Sequence, residues 1–159
     1  MRILGIDPGT QVCGYGVIET RGPDVRTLDF GVARSSDASL PARLKVIYDG
    51  LVEIIGRYSP DVVAVEGVFY QKNVRTAIKI GEGRGVALLA AAARGIEVVE
   101  YAPAEVKKAV TGNGNASKPQ VQQMVRAILG LRELPEPEDA ADALAIALCH
   151  FHRLPPGAG

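Results

Sequence analysis

Four acids occupy positions from which carboxylates could act together: Asp7, Glu66, Asp139 and Asp142. Asp7 and Glu66 each close a short apolar run, Arg2–Asp7 and Asp61–Glu66. Strand side chains alternate faces, so Asp7 shares a face with Ile3 and Gly5, and Glu66 with Val62 and Ala64. If the two strands are parallel neighbours, their ends coincide and the carboxylates project together, which is costly unless a cation neutralises them or one takes up a proton. Asp139 and Asp142 stand at i and i+3 of the last helical run, on one face and in its expected first turn, where the helix dipole favours the ionised form. Taken singly, each acid has an ordinary role: a turn residue before Pro8-Gly9, a strand end, two acids at a helix start. Together, with no Lys or Arg paired nearby in sequence and no Cys/His ligand set, they point to hard divalent cations. Two magnesium ions about 4 Å apart, with manganese able to substitute, would suit in-line phosphodiester hydrolysis.

The elements around these acids must bring them together. Arg2–Asp7, Gly14–Thr20 and Val25–Arg34 read as three strands, the last with Leu28, Phe30 and Val32 on one face. Their short connections make them antiparallel. Leu40–Tyr58 carries apolar residues at helical spacing, with Ser39 as N-cap and Ser59-Pro60 as stop. Asp61–Glu66 reads as a strand buried on both faces, Arg75–Arg94 as an Ala-rich helix and Ile96–Tyr101 as a strand. Pro103–Val110 and Lys118–Leu129 read as helices, the second with Ser117 as N-cap. A Pro/Glu linker, Leu134–Glu138, leads to a final helix over Asp139–His152. A right-handed crossover would lay Asp61–Glu66 parallel beside Arg2–Asp7. The expected fold is an α/β sandwich on a five-stranded mixed sheet, three antiparallel strands then two parallel, flanked by helices. Residues 1–153 are expected to form one domain and 154–159 a short flexible tail.

The 159 residues are 47% hydrophobic with zero formal charge, but the charge is unevenly spread. Residues 70–132 hold ten Lys and Arg against four Asp and Glu, while 133–142 hold five acids and no base. A basic stretch beside an acidic knot suits a protein that grips phosphates while binding metal ions. No apolar run reaches the roughly 18 residues of a membrane span, and the first residues lack the order of a signal peptide. A cytoplasmic protein without membrane contact is expected. Cys13 and Cys149 make neither a disulfide framework nor a zinc site and read as packed hydrophobes.

Three blocks, ILGIDPGTQVCGYGV, VVAVEGVFYQKN and EDAADALAIALCH, closely resemble the RuvC family of Holliday-junction resolvases in order, spacing and total length. The resemblance implies an RNase H-like fold and a homodimer that places paired symmetric nicks across four-way junction DNA in recombination and repair. It assigns the catalytic, metal-binding quartet to Asp7, Glu66, Asp139 and Asp142. Some relatives carry histidine at the third position, where this chain has Asp139. Branch-migration motor proteins are implied as partners.

For DNA contact, Phe69 and Tyr70 follow Glu66 in a polar loop, where aromatics can stack on an unpaired base for roughly 1–3 kcal/mol; the resemblance favours Phe69 as junction wedge. Lys107, Lys108 and Lys118 flank a Gly/Asn loop, Lys118 at a helix start beside free amides suited to phosphate; the resemblance favours Lys107 and Lys118. Arg75, Lys79 and Arg84 could extend this surface. Gly81, Gly85, Ala87, Ala90 and Ala91 would let another helix approach, and the resemblance suggests a dimer partner. The segment 81–85 lacks the spacing of a dinucleotide fingerprint, 112–118 lacks the ending of a P-loop, and His150 and His152 point apart on their helix and read as structural. Rival readings are a non-catalytic junction-binding module, a general RNase H-type nuclease on RNA–DNA hybrids, and a single-domain relative of the actin and sugar-kinase class of ATP-binding proteins. That last class also begins with a motif like GIDPGT followed by GYGV but needs two domains around its cleft.

Overall fold

The computed structural model describes residues 1–67 and 72–158. Strands β1 (Arg2–Asp7), β2 (Val12–Arg21) and β3 (Asp24–Arg34) form an antiparallel meander, and β4 (Val62–Glu66) and β5 (Glu97–Tyr101) extend it in parallel. The sheet order is β3-β2-β1-β4-β5. Five helices accompany it: α1 (Leu40–Tyr58), α2 (Val74–Ala92), α3 (Pro103–Thr111), α4 (Lys118–Leu129) and α5 (Glu138–Arg153). The expected mixed sheet is therefore observed, and β4 lies parallel beside β1, with Ile3 opposite Val62 and Ile6 opposite Val65. One step beyond that last pair come Asp7 and Glu66.

Alternation along β1 and β4 builds two cores. Leu4, Ile6, Val63 and Val65 pack against Ile47 and Leu51 of α1 and Ala87 and Ala91 of α2. Ile3, Val62 and Ala64 point the other way, against Leu144 and Leu148 of α5, Val106 of α3 and Val125 of α4. Capping fixes the helix ends. The Ser39 hydroxyl accepts from the Ala42 amide, and α1 stops where Ser59 turns left-handed at φ 46°. Ser117 and Gln120 exchange hydrogen bonds at the start of α4, satisfying two otherwise orphaned amides.

The expectation that Leu28, Phe30 and Val32 share a face fails at Leu28. Val17 pairs with Asp29 but Ile18 with Thr27, so Leu28 is an extra residue in a β-bulge. It turns toward the α1/α2 core while Phe30 packs on the α5 side. Uniform alternation in the sequence conceals a single inserted residue.

Helix α5 is the central packing element. Its segment Ala143–Cys149 is buried without interruption, between the sheet on one side and α3 and α4 on the other. It approaches the sheet more closely than side chains would allow. A Cβ on Gly5 would run into the Ala143 carbonyl oxygen, one on Gly14 into the Asp139 carbonyl, and one on Gly16 into the Leu144 side chain. Gly5 and Gly16 are paired across β1 and β2, and Gly14 is paired with Asp7. The glycines thus form a track on which the helix backbone rests.

Gly5→Ala should therefore destabilise the protein by about 1–3 kcal/mol or more, the range for overpacking. Gly56→Ala, on the exposed side of α1, should gain up to about 1 kcal/mol from helix propensity. Urea unfolding midpoints of the two variants check this, and an unimpaired Gly5→Ala variant would show that α5 can lift from the sheet at no cost.

Candidate active site

The glycine track determines where the acids meet. Asp7 ends β1 opposite Gly14, and the Asp139 backbone rests on Gly14. One helical turn on, Asp142 faces the same way. Carboxylate oxygens of Asp7, Asp139 and Asp142 lie within 4.8 Å of one another, all three residues half-buried, and among the described residues this is the one such cluster. Glu66 stands outside that tight triad. It lines, with Asp7 and Asp142, a cavity of about 250 Å³ whose other wall carries Lys107, Lys118 and Val121.

The charge distribution is that of a site short of positive charge. Burial, and then the charges of Asp142, Asp139 and Glu66, raise the Asp7 carboxyl from its ordinary 3.8 to about 8. Burial and Asp142 also raise Glu66, against opposing pulls from Lys107 and Lys118. Asp142 is raised chiefly by burial, with Lys118 working the other way. This last finding corrects the dipole expectation. Helix α5 starts at Glu138, one residue earlier than the pattern suggests, so Glu138 and Asp139 occupy its first turn and Asp142 begins the second. The dipole effect fades over that distance, and burial prevails.

The absence of a paired base near Asp142 in sequence does not extend to space. Lys118 Nζ lies 3.2 Å from Asp142 Oδ2 and 3.1 Å from Glu138 Oε1. Burial works to lower the Lys118 ammonium, yet these two carboxylates carry it above its usual value. Glu138, expected to be part of the linker, is thus a neighbour of the site. Its sequence signals are its place in the acidic knot of residues 133–142 and at the head of the EDAADALAIALCH block. Lys107 lines the cavity; Lys108 is exposed and does not line it.

Other expectations are placed as follows. Phe69 and Tyr70 lie outside the described residues. Arg75 and Lys79 are exposed on α2, but Arg84 is not part of a basic surface: it pairs with Glu100 and its side chain is only 17% exposed. The small residues of α2 divide between two faces. Ala87, Ala90 and Ala91 are buried in this chain's own core, while Gly81 and Gly85 face open space beside exposed Val74, Ile78 and Leu89. His150 bonds Tyr101 Oη at 2.6 Å and His152 the Ala109 carbonyl at 2.8 Å, and both cysteines are buried.

The half-buried triad of Asp7, Asp139 and Asp142, with Glu66 sharing a cavity with Asp7 and Asp142, forms an all-oxygen donor set that fits a hard divalent cation. The mixed sheet with an acidic cluster at the ends of adjacent parallel strands defines an RNase H-like protein with a nuclease-type site. The family model for "Crossover junction endodeoxyribonuclease RuvC" matches residues 3–150. A relative of that description from Dehalococcoides mccartyi is 54% identical over 151 residues, covering 94% of this chain and 90% of its own. Another from Rubrobacter xylanophilus is 51% identical over 160 residues, covering 99% and 89%. The structure of T. thermophilus RuvC in complex with Holliday junction substrate superimposes with a TM-score of 0.90 at 40% identity, covering 96% of this chain and 93% of that one. The chain belongs to the RuvC family of crossover junction endodeoxyribonucleases. The yeast mitochondrial resolvase Ydc2, at 15% identity and a TM-score of 0.62, shares the fold.

A carboxyl raised on folding keeps a proton that the unfolded chain has lost. Between its unfolded value near 4 and its folded value of about 8, Asp7 therefore makes folding less favourable as pH rises. Metal-free protein should lose stability from about pH 4 to pH 8, and Asp7→Asn should flatten that slope. Thermal unfolding across this range is the check; a parent chain whose melting does not respond to pH would contradict the burial of that charge.

Proposed function

We propose that this protein resolves four-way (Holliday) junctions, acting as a structure-selective DNA endonuclease in recombination and repair. Residues 1–153 would form the nuclease domain. The observation that carries this reading is a cavity with converging carboxylates on one wall and two lysines on the other. Asp7, Glu66, Asp139 and Asp142 are the residues that would hold magnesium, two ions per site with manganese able to substitute. When bound, such ions supply Lewis acidity toward a phosphodiester. Burial and the neighbouring acids favour the protonated form of Asp7, so a cation held there would compete with a proton. Lys107 and Lys118 offer the facing wall to phosphate oxygens, where charge-assisted hydrogen bonds hold the backbone without reading sequence. Phe69 and Tyr70 are assigned to base stacking at the junction on the strength of the sequence and family alone, and Arg75 and Lys79 would continue the phosphate-binding surface along α2.

Paired nicks require two copies of this site. The outward face of α2 supplies a means of pairing: Val74, Ile78 and Leu89 are 71%, 54% and 59% exposed, and they run beside Gly81 and Gly85, where a second helix can come close. We assign this face to the homodimer. Branch-migration motor proteins as partners follow from the family resemblance. Action on cytoplasmic DNA agrees with there being, among the described residues, no helix long and apolar enough to cross a membrane.

The direct experiment compares a four-way junction, a linear duplex and an RNA–DNA hybrid, with and without magnesium. Symmetric nicking of the junction only, and only with metal, is expected. Asp7→Asn should cut more than about 100-fold more slowly, beyond the range for losing an outer-shell partner of a metal, with junction binding kept. Equal cutting of the linear duplex would overturn the structural selectivity.

Ile78→Glu should convert the dimer to a monomer at micromolar concentration, as read by light scattering, and uncouple the two nicks. A variant of unchanged mass would move the dimer interface elsewhere.

A further inference from the structure

The reading above gives Lys118 to phosphate, yet two acids of α5 also hold it. Glu138 and Asp142 are four residues apart, so they stand one turn apart on the same helix face. The ammonium bridges them at 3.1 and 3.2 Å, an almost equal division. The two carboxylates differ in surroundings. Asp142 is 26% exposed and faces the cavity; Glu138 is 56% exposed and does not line it. A cation on Asp142 would compete with the ammonium for that carboxylate, because two positive charges repel at this range and the ammonium already occupies Oδ2. Glu138 offers the displaced ammonium a partner on the solvent side, so that leaving Asp142 does not leave Lys118 unpaired.

We propose that Glu138 is a positioning residue for Lys118: it draws the ammonium away from Asp142 and so keeps that carboxylate available to a divalent cation. This rests on the metal-site reading of the acids but not on junction cleavage. Glu138 also has a plainer role, as an acid in the first turn of α5 where the helix dipole favours it. That role, and the simple attraction of its charge for a cation, operate whether or not Lys118 is present. The proposed role does not.

The test is therefore a double-mutant cycle read by Mn2+ binding alone, by calorimetry or by loss of the free-ion electron paramagnetic resonance signal. Glu138→Gln should weaken Mn2+ affinity about three- to fivefold, the size expected of a solvent-accessible ion pair. Glu138→Asp, which keeps the carboxylate, should restore most of it. In a Lys118→Met background the same Glu138→Gln change should alter affinity by less than about twofold. Equal weakening in both backgrounds, or none in either, would overturn the positioning role, and so would a parent chain that binds no Mn2+. A parent chain that binds Mn2+ but leaves junctions uncut would overturn the proposed function and leave this one standing.

Discussion

The architecture depends on how closely one helix backbone can approach the sheet. Close packing of α5 against β1 and β2 is possible only because Gly5, Gly14 and Gly16 present no side chain beneath it. The same approach brings the Asp139 backbone onto Gly14, the partner of Asp7 across the strands. Packing and site are therefore one geometric fact. Lifting α5 by the thickness of a methyl group would open a void in the core and also separate Asp139 and Asp142 from Asp7. Protein interiors tolerate voids of that size poorly, so the apolar body of α5 holds the acidic end in register.

That register works against the electrostatics of the bare site. Burial first, and then repulsion among carboxylates within 4.8 Å of one another, hold the Asp7 carboxyl up near 8. A protein keeps such an arrangement only where the surrounding structure over-determines it. Here the over-determination is visible: β1 is hydrogen-bonded on both sides, β4 fixes Glu66 through four paired residues of β1, and α5 is enclosed by the sheet, α3 and α4. The core carries the repulsion, which a divalent cation would relieve.

Much of this was legible in the sequence, for identifiable reasons. The unbroken apolar run VVAV inside DVVAVE points to a strand buried on both faces, and parallel placement beside Arg2–Asp7 follows from crossover handedness. Capping residues located helix ends well: α1 and α4 begin where Ser39 and Ser117 indicate. Where the reading failed, the missing information was spatial. The bulge at Leu28 leaves no mark in an otherwise alternating strand. Arg84 looked like surface charge until β5 placed Glu100 against it. The small residues of α2 could not be divided between inner and outer faces without knowing which side met the core. Glu138 falls at the end of the expected Pro/Glu linker because Pro135 and Pro137 precede it, whereas Pro137 is the N-cap of α5 and Glu138 its first residue.

The charge pattern along the chain takes on meaning only in this light. A basic stretch and an acidic knot, neutral in sum, would be unremarkable as solvated surface. Folding sets them face to face instead. Helix α5 supplies acids from the sheet side, while Lys107 from α3 and Lys118 from α4 look back across the same cavity. One element layer therefore presents acids and the layer covering it presents bases, with about 250 Å³ between them. The two walls also touch, because Lys118 Nζ lies 3.2 Å from Asp142 Oδ2. If Asp142 holds a cation and Lys118 a phosphate, as proposed, the two binding events would be linked through that one contact.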